Sequence, residues 1–171
     1  MNNQIISITN QKLSAAKQHL ICLERLDTNA SKRLIAAYHE SIVFQLYLAC
    51  ESFVQEIAAD YQVGVPKQTS FNELAELLDR NEIPCVHCSQ LALLQENRGS
   101  WLSWLHSRYA KCWELYEYSS PSEVLEKDLF AAGALIAIAD VDKLSDEQRL
   151  KQCVEELGQV ISDYRELMQQ W

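Results

Sequence analysis

The chain has 171 residues, of which 48% are hydrophobic and 23% are charged, and these ordinary values exclude wholesale disorder. Only four glycines and three prolines are present, whereas sheet proteins need both residues at their many turns, so an all-β sandwich or barrel is excluded as well. The net charge of −9 and the absence of a dense Lys/Arg run argue against nucleic acid as a partner, since nucleic-acid binding usually needs a basic face. One helical domain over residues 1–171 is the prediction that remains.

The amino terminus lacks both the basic start and the apolar stretch of a signal peptide. The longest uncharged apolar run, residues 129–139, is shorter than the ~18 residues that a membrane-spanning helix requires. The sequence therefore predicts a cytoplasmic protein without a membrane partner. Its six cysteines are then expected to be reduced thiols.

The first predicted helix covers residues 7–26, where apolar residues recur at three- and four-residue spacing. Ser31 is a candidate cap for a second helix from Lys32 to about Gln62, which Gly64 and Pro66 are expected to end. This second helix is apolar on more than one side, a pattern typical of a central helix that several neighbours cover.

Two further helices are predicted in the middle of the chain. Ser70 and Glu73 form a capping box that begins a short helix ending near Arg80. Residues 81–88 are expected to be a loop, and a helix over residues 89–118 follows, with a kink or break at 98–100.

The last third of the chain contains two more helix starts. One is predicted at residues 120–123, while residues 129–141 fit either a buried helix or a short extended piece. Ser145 and Gln148 form another capping box, which begins a final helix to about Gln170. The whole pattern predicts an all-α fold, an antiparallel bundle of five or six helices around the helix at 32–62.

Several short segments spread over nearly the whole chain are similar to those of one known family. They are Thr9–Leu13, Tyr38–Ala58, Ser100–Leu105, Leu135–Ala137 and Tyr164–Trp171. In these segments the chain resembles a small bacterial all-helical family known only as a domain of unknown function. The resemblance implies a bacterial, cytosolic, single-domain helical protein, and it supplies no catalytic residue.

The sharpest local motif is the pair of thiols in Cys85-Val86-His87-Cys88. Two cysteines three apart before a helix can form a redox pair, because a helix amino terminus stabilises a thiolate. Cys85, His87 and Cys88 can equally be half of a zinc site, although no second Cys/His pair has metal spacing. Incidental thiols in a loop are the favoured interpretation. The other four cysteines lie in helical patterns and are expected to be small buried hydrophobes.

A dense set of aromatic residues is the second candidate site. Tryptophan and tyrosine are enriched at interfaces and in ligand pockets, because each combines a large apolar area with one polar atom. A bulky core is the favoured alternative for these residues. The interface or pocket candidates are Trp101, Trp104, Tyr109, Trp113 and Tyr116, with Tyr118 beside them.

Enzyme signatures are weak in this chain. Arg33 and His39 have the spacing found in certain helical ribonucleases, but six residues place the two side chains about 120° apart around a helix. No histidine has glutamate three residues before it, which disfavours a di-metal carboxylate bundle. Zinc-protease, phosphate-loop and serine-nucleophile motifs are also absent from the sequence.

The leading functional hypothesis is accordingly a non-enzymatic protein-interaction or regulatory module without a cofactor. Its partner is expected to be another protein or a second copy in a homodimer. A metal or redox protein using Cys85, His87 and Cys88 is the first alternative. A ribonuclease-like protein using Arg33 and His39 is the second alternative.

Overall fold

A computed structural model describes residues 2–27, 29–117 and 144–169, with side chains over 3–27, 29–113 and 144–169. Within these ranges the chain forms six α-helices and no strand, which confirms the all-α prediction. In chain order the helices are α1 (Asn2–Glu24), α2 (Lys32–Asp60), α3 (Phe71–Arg80), α4 (Val86–Glu96), α5 (Trp101–Glu117) and α6 (Asp146–Met168).

Three predicted helix starts are confirmed by side-chain caps. The Ser31 hydroxyl accepts a hydrogen bond from the Leu34 amide at 3.2 Å. Ser70 with Glu73, and Ser145 with Gln148, form complete capping boxes that satisfy otherwise free backbone amides. These helices begin where a polar side chain replaces the missing backbone partner.

Two predicted boundaries differ from the structure. The first helix begins at Asn2 instead of residue 7, and the added residues include Ile5, which lines a groove with Ile8 of the same helix and with Ser52 and Gln55 of α2. The helix therefore extends beyond the apolar repeat from which it was predicted. The segment 86–88 is the first turn of α4 and not part of a loop.

The end of α2 also differs from the prediction. The helix stops at Asp60, before Gly64 and Pro66, and Gln62 adopts the left-handed conformation with φ 58°. The Val63 amide then donates to the Ala58 carbonyl at 2.9 Å. This is the 6→1 hydrogen bond that defines a Schellman motif. A non-glycine residue in this conformation carries strain, so the packing of the partly buried Val63 against the core must offset it.

The helix α2 is central, as the sequence predicts. It contacts α1, α3, α5 and α6, and its inward positions are fully buried. Side chains from the surrounding helices complete one continuous core. The largest fully buried ones include Phe53, Leu46 and Ile57 of α2, Leu74 of α3, Leu105 of α5 and Tyr164 of α6.

Among the helices that the structure describes, α2 has the length and apolar character that a membrane-crossing helix needs. Its most apolar window is 56% buried by the rest of the protein, and core helices of soluble proteins pass the same test. The expected break at 98–100 is confirmed, because α4 ends at Glu96 and α5 begins at Trp101. The predicted helix start at 120–123 and the ambiguous run 129–141 lie outside the described residues.

Candidate functional site

The two thiols of the Cys85–Cys88 motif meet at the amino terminus of α4. Cys85 is the N-cap residue, in extended conformation, and its Sγ accepts a hydrogen bond from the Cys88 amide at 3.4 Å. A sulfur atom thus occupies the position that a serine or aspartate oxygen usually takes at a helix start. The same backbone amides that need a cap can stabilise a thiolate.

The chain reaches this position through a second Schellman motif at the end of α3. Glu82 is left-handed with φ 59°, and the Ile83 amide donates to the Leu78 carbonyl at 2.9 Å. Pro84 follows and favours extended backbone, which separates α3 from α4 and presents Cys85 at the cap position.

Cys88 is fully buried one turn further along α4. Its thiol donates to the Phe71 carbonyl of α3, with 3.7 Å between the sulfur and the oxygen. Its single thiol proton is shared between this carbonyl and the Cys85 sulfur. Cys85, at 7% exposure, is the more accessible of the two thiols.

Three residues, two at the end of α2 and one on α6, lie near this pair. Tyr61, the residue after α2, hydrogen-bonds to the Cys85 side chain. The Tyr164 hydroxyl of α6 donates to Asp60 Oδ2 at 2.9 Å, and the Tyr164 ring lies 5.9 Å from the His87 ring. We call Cys85, Cys88, Tyr61, Asp60 and Tyr164 the dithiol end of the bundle.

The two thiols have opposite acidity. The hydrogen bond from the Cys88 side chain, followed by the Cys88 amide and the Tyr61 hydroxyl, lowers the pKa of Cys85 to about 6 against the opposing effect of burial. The same side-chain hydrogen bond and burial raise the pKa of Cys88 far above its ordinary value. Burial and the contact with Cys85 raise the pKa of Tyr61 to about 12, so its phenol keeps the proton that it donates.

A crevice of about 60 Å³ reaches both cysteines from the side of α3. Leu78, Pro84 and Ser89 are among the residues that line it. Val86, directly after Cys85, is 65% exposed and forms an apolar surface beside the Cys85 thiol.

Only part of the ligand set that a zinc site requires is present at this motif. Within the described residues, no group of three or more His, Cys, Asp and Glu side chains is placed to hold a metal ion. Cys85 and Cys88 therefore supply two of the four ligands that a structural zinc site uses, and His87 faces the Tyr164 ring.

The aromatic candidates divide between core and surface. Trp101 is 4% exposed and lies in the core, and Trp104 and Tyr109 are partly buried against it. Trp113 is 53% exposed. Tyr116 is on α5, but its side chain lies outside the described residues, as does the whole of Tyr118.

Two aromatic residues of α2 complete this part of the surface. The Tyr109 ring stacks on Tyr47 with 3.6 Å between centroids, and Phe44 lies edge-on to both Tyr109 and Trp113. We call Phe44, Tyr47, Tyr109 and Trp113 the aromatic patch. Phe44 and Tyr47, the two α2 residues of the patch, were not among the candidates predicted from the sequence, because they look like ordinary helix residues.

The ribonuclease pair is not brought into one described site. His39 lines a groove with Glu40, Arg108 and Cys112, whereas Arg33 is exposed and lies outside this lining. The expectation that Cys22 is buried is wrong, because its position on the outer side of α1 leaves it exposed. Cys50 and Cys153 are buried as expected, and Cys112 is partly buried.

Sequence reasoning identified both cysteines of the dithiol end but missed Tyr61, Asp60 and Tyr164. The Asp60–Tyr164 contact joins residues 104 positions apart, and no local motif announces it. The one available signal was Tyr61 itself, a polar aromatic residue at the predicted end of a central helix.

Comparison with known proteins places the chain in a family. No curated protein and no solved structure matches it. Residues 1–171 match the family described as a family of unknown function, DUF6586. This match covers the whole chain, in agreement with the resemblance seen in the sequence, and the protein belongs to the DUF6586 family of unknown function.

Proposed function

We propose that the protein is a thiol–disulfide exchange protein, in which Cys85 attacks an organic disulfide and Cys88 resolves the product. The observation that carries this proposal is the geometry at the start of α4. One thiol caps the helix, with its sulfur 3.4 Å from the Cys88 backbone amide, and the second thiol, that of Cys88, follows one turn along the same helix. The sequence favoured an interaction module and gave a metal or redox protein as the first alternative. The geometry at the start of α4 supports the redox alternative.

The local charges support the same role. The helix amino terminus carries a partial positive charge, which favours the thiolate over the thiol. A thiolate is the nucleophile in disulfide exchange, and the lowered pKa of Cys85 increases its thiolate fraction at neutral pH. The buried Cys88 keeps its proton until Cys85 has reacted, because the negative charge on Cys85 disfavours a second one.

The exchange balances in two steps. The Cys85 thiolate attacks one sulfur of the substrate disulfide, forming a Cys85–substrate disulfide and releasing the other sulfur as a thiolate. Cys88 then gives its proton to that thiolate or to solvent and attacks Cys85 Sγ. This second step releases the remaining substrate thiolate and leaves a Cys85–Cys88 disulfide, so two electrons have passed to the substrate. A low-molecular-weight thiol restores the dithiol by the same exchange in reverse.

Reaction of the reduced protein with oxidised glutathione or with insulin tests the proposal. Acid quenching and peptide mass mapping should find a Cys85–Cys88 disulfide, with the protein two hydrogens lighter. In Cys88→Ser the reaction should stop at a mixed disulfide on Cys85. Reaction with glutathione alone indicates a small-molecule substrate, and a faster reaction with insulin indicates a protein substrate.

Cys22→Ser is the matched control, because it removes an exposed thiol on α1 that is not part of the dithiol end and should leave the exchange unchanged. The proposal is wrong if the folded protein is oxidised at Cys22 while Cys85 stays a thiol. Equal products from the wild type and Cys88→Ser would also overturn it.

A second candidate function, a protein-interaction module, rests on the exposure of the aromatic patch. Trp113 is 53% exposed although its ring contacts Phe44 and Tyr109. Exposed tryptophan is typical of binding surfaces, where it contributes a large share of the affinity. We infer that a protein partner, or a second copy of the chain, covers this residue.

Size-exclusion chromatography with light scattering tests the self-association form of this candidate. We expect a dimer at tens of micromolar concentration that Trp113→Ala dissociates. Leu34→Ala, which removes another exposed apolar side chain, should leave the dimer intact. A monomer at these concentrations eliminates the homodimer.

A further inference from the structure

The apolar surface beside Cys85 continues along α4. Val86 and Leu93 are 65% and 66% exposed, which makes them the two most exposed large hydrophobic side chains among the described residues. They are seven residues apart and therefore lie on one side of the helix. Ser89 and Gln90, which are also exposed, lie between them. We call Val86, Ser89, Gln90 and Leu93 the α4 face.

The α4 face is continuous with the opening to the two thiols. Ser89 lines the crevice that reaches Cys85 and Cys88. Residues three and four positions apart are neighbours on a helix surface, so Ser89 adjoins both Val86 and Leu93. A molecule whose disulfide enters the crevice therefore has the α4 face directly beside it.

The size of the crevice indicates how such a molecule binds. Sites that enclose a whole small molecule have volumes of roughly 300 Å³ or more. A crevice of about 60 Å³ has room for only a few atoms around the reacting sulfur, so the rest of the substrate must lie on the surface. Val86 and Leu93 are about 10 Å apart along the helix axis. An extended polypeptide covers that distance with about three residues.

The charges around the crevice are almost all negative. Residues 71–96, which comprise α3, α4 and their connection, contain five acidic residues and a single lysine or arginine, Arg80, which pairs with Glu76 at 3.6 Å. Asp79 is among the residues that line the crevice, and the described lining includes no basic residue. A negatively charged disulfide such as oxidised glutathione is repelled by this surface, and a positively charged one is attracted. The acidic residues, all exposed, are Glu73, Glu76, Asp79, Glu82 and Glu96.

We propose that the substrate of Cys85 and Cys88 is a polypeptide disulfide with apolar and positively charged flanking residues, which lies along the α4 face. Its apolar side chains contact Val86 and Leu93, and its cationic side chains lie near Asp79. The inference rests on the proposed exchange function and names the substrate class of the same site. In the first step the Cys85 thiolate attacks one sulfur of the polypeptide disulfide. The S–S bond breaks, a Cys85–polypeptide disulfide forms, and the other sulfur leaves as a thiolate.

Symmetrical disulfides of three short peptides, each with blocked termini and one central cysteine, test the proposal on the reduced wild-type protein. The first peptide has leucine on both sides of the cysteine and arginine at both ends. The second has glutamate in place of arginine, and the third has serine in place of leucine. Each rate of disulfide formation at Cys85 is divided by the rate of the same peptide with 2-mercaptoethanol, which removes differences in intrinsic reactivity. We expect the first peptide to react about tenfold faster than either of the others.

Two variants separate the apolar and the charged part of the interaction, with hydroxyethyl disulfide, which is small and uncharged, as the reference substrate. Leu93→Ala should lower the ratio of the first peptide's rate to the reference rate by about threefold or more. Asp79→Asn should reduce the preference for arginine over glutamate by a similar factor. Leu34→Ala and Glu155→Gln are the matched controls, because they change exposed residues of α2 and α6, and both ratios should stay the same. Val86→Ala repeats the apolar test if Leu93→Ala does not fold.

Each alternative substrate gives a different result. Equal normalised rates for the three peptides, or a wild-type ratio in Leu93→Ala, would overturn the inference and leave the exchange function in place. A faster normalised reaction with oxidised glutathione than with the first peptide would overturn it in favour of a small molecule. A rate per chain that falls as the protein concentration rises would overturn it in favour of a second copy on the α4 face. No reaction of Cys85 with any disulfide, including hydroxyethyl disulfide, would overturn the exchange function and this inference together.

Discussion

The dithiol end and the middle of the bundle place the same residue type in two opposite environments. Cys85 lies at the start of α4, where backbone amides and a tyrosine hydroxyl lower its pKa to about 6. Cys50 and Cys153 lie in the middle of α2 and α6, and burial raises the pKa of both, that of Cys153 to about 12. The Cys153 thiol donates to the Trp101 carbonyl, with 3.5 Å between sulfur and oxygen, and therefore keeps its proton.

The direction of the hydrogen bond explains this difference. At the dithiol end the sulfur of Cys85 accepts hydrogen bonds, which stabilises the thiolate. In the middle of the bundle the sulfur of Cys153 donates one, which stabilises the thiol. The hydrogen bonding at the start of α4 therefore favours a thiolate on Cys85, whereas burial and hydrogen bonding inside α6 favour the thiol on Cys153.

The largest expected effect is on alkylation by iodoacetamide. At pH 7 Cys85 is mostly thiolate and Cys153 is almost entirely thiol, so Cys85 should react on the order of 10³-fold faster than Cys50 or Cys153. The Cys85 rate should fall about tenfold per pH unit below its pKa. Peptide mass mapping over a pH series measures both quantities. Labelling of Cys50 and Cys153 at a rate similar to that of Cys85 would contradict the expected difference in thiol acidity.

The second effect concerns the ion pair that joins α2 and α6. Glu56 is 1% exposed on α2, and Arg165 of α6 donates to it through Nε at 2.6 Å and Nη2 at 2.8 Å. Arg165→Met leaves a buried carboxylate without its partner and should lower the free energy of unfolding by about 3–5 kcal/mol. Urea denaturation measures this change.

Arg80→Met is the control for that experiment. Arg80 pairs with Glu76 at 3.6 Å on the exposed side of α3, and its loss should cost about 0.5 kcal/mol or less. Similar losses in the two variants would show that the Glu56–Arg165 pair does not hold the bundle together.

A smaller effect is expected from Tyr61→Phe, which removes one hydrogen bond to the Cys85 thiolate. The pKa of Cys85 should rise, and its alkylation rate at pH 6 should fall by about tenfold at most, because other donors remain. Tyr38→Phe, a half-buried tyrosine whose ring faces His19, is the matched control. An unchanged pH profile in Tyr61→Phe would exclude Tyr61 from the dithiol end.

The smallest effect is expected from the helix caps. Ser70→Ala and Ser145→Ala each remove one capping hydrogen bond and should each cost about 1 kcal/mol in urea denaturation. Ser70 precedes Phe71, whose carbonyl accepts from Cys88, so Ser70→Ala should also change the rate of Cys85–Cys88 disulfide formation. Ser145→Ala should leave that rate unchanged, and the same rate in both variants would contradict a link between α3 and the thiols.

The sequence predicted most of the helices because the signals for a helix are local. Apolar spacing identified α2 as central, and the serines at 31, 70 and 145 marked three starts that the structure confirms. The end of α2 was predicted about two residues too late, whereas the predicted end of α3 at Arg80 is confirmed. The ends of α2 and α3 depend on left-handed Gln62 and Glu82, which no glycine marks and which tertiary packing must stabilise.

The sequence alone determined that this chain is all-α and that two cysteines lie three apart near a helix start, since both follow from neighbours along the chain. Only the tertiary structure decided that Tyr61 hydrogen-bonds to Cys85, that Cys22 is exposed while Cys50 is buried, and that Glu56 pairs with Arg165, 109 residues away. The physical reason is that a thiol's acidity and a carboxylate's pairing depend on groups brought together in space, and such contacts leave no periodic pattern in the sequence.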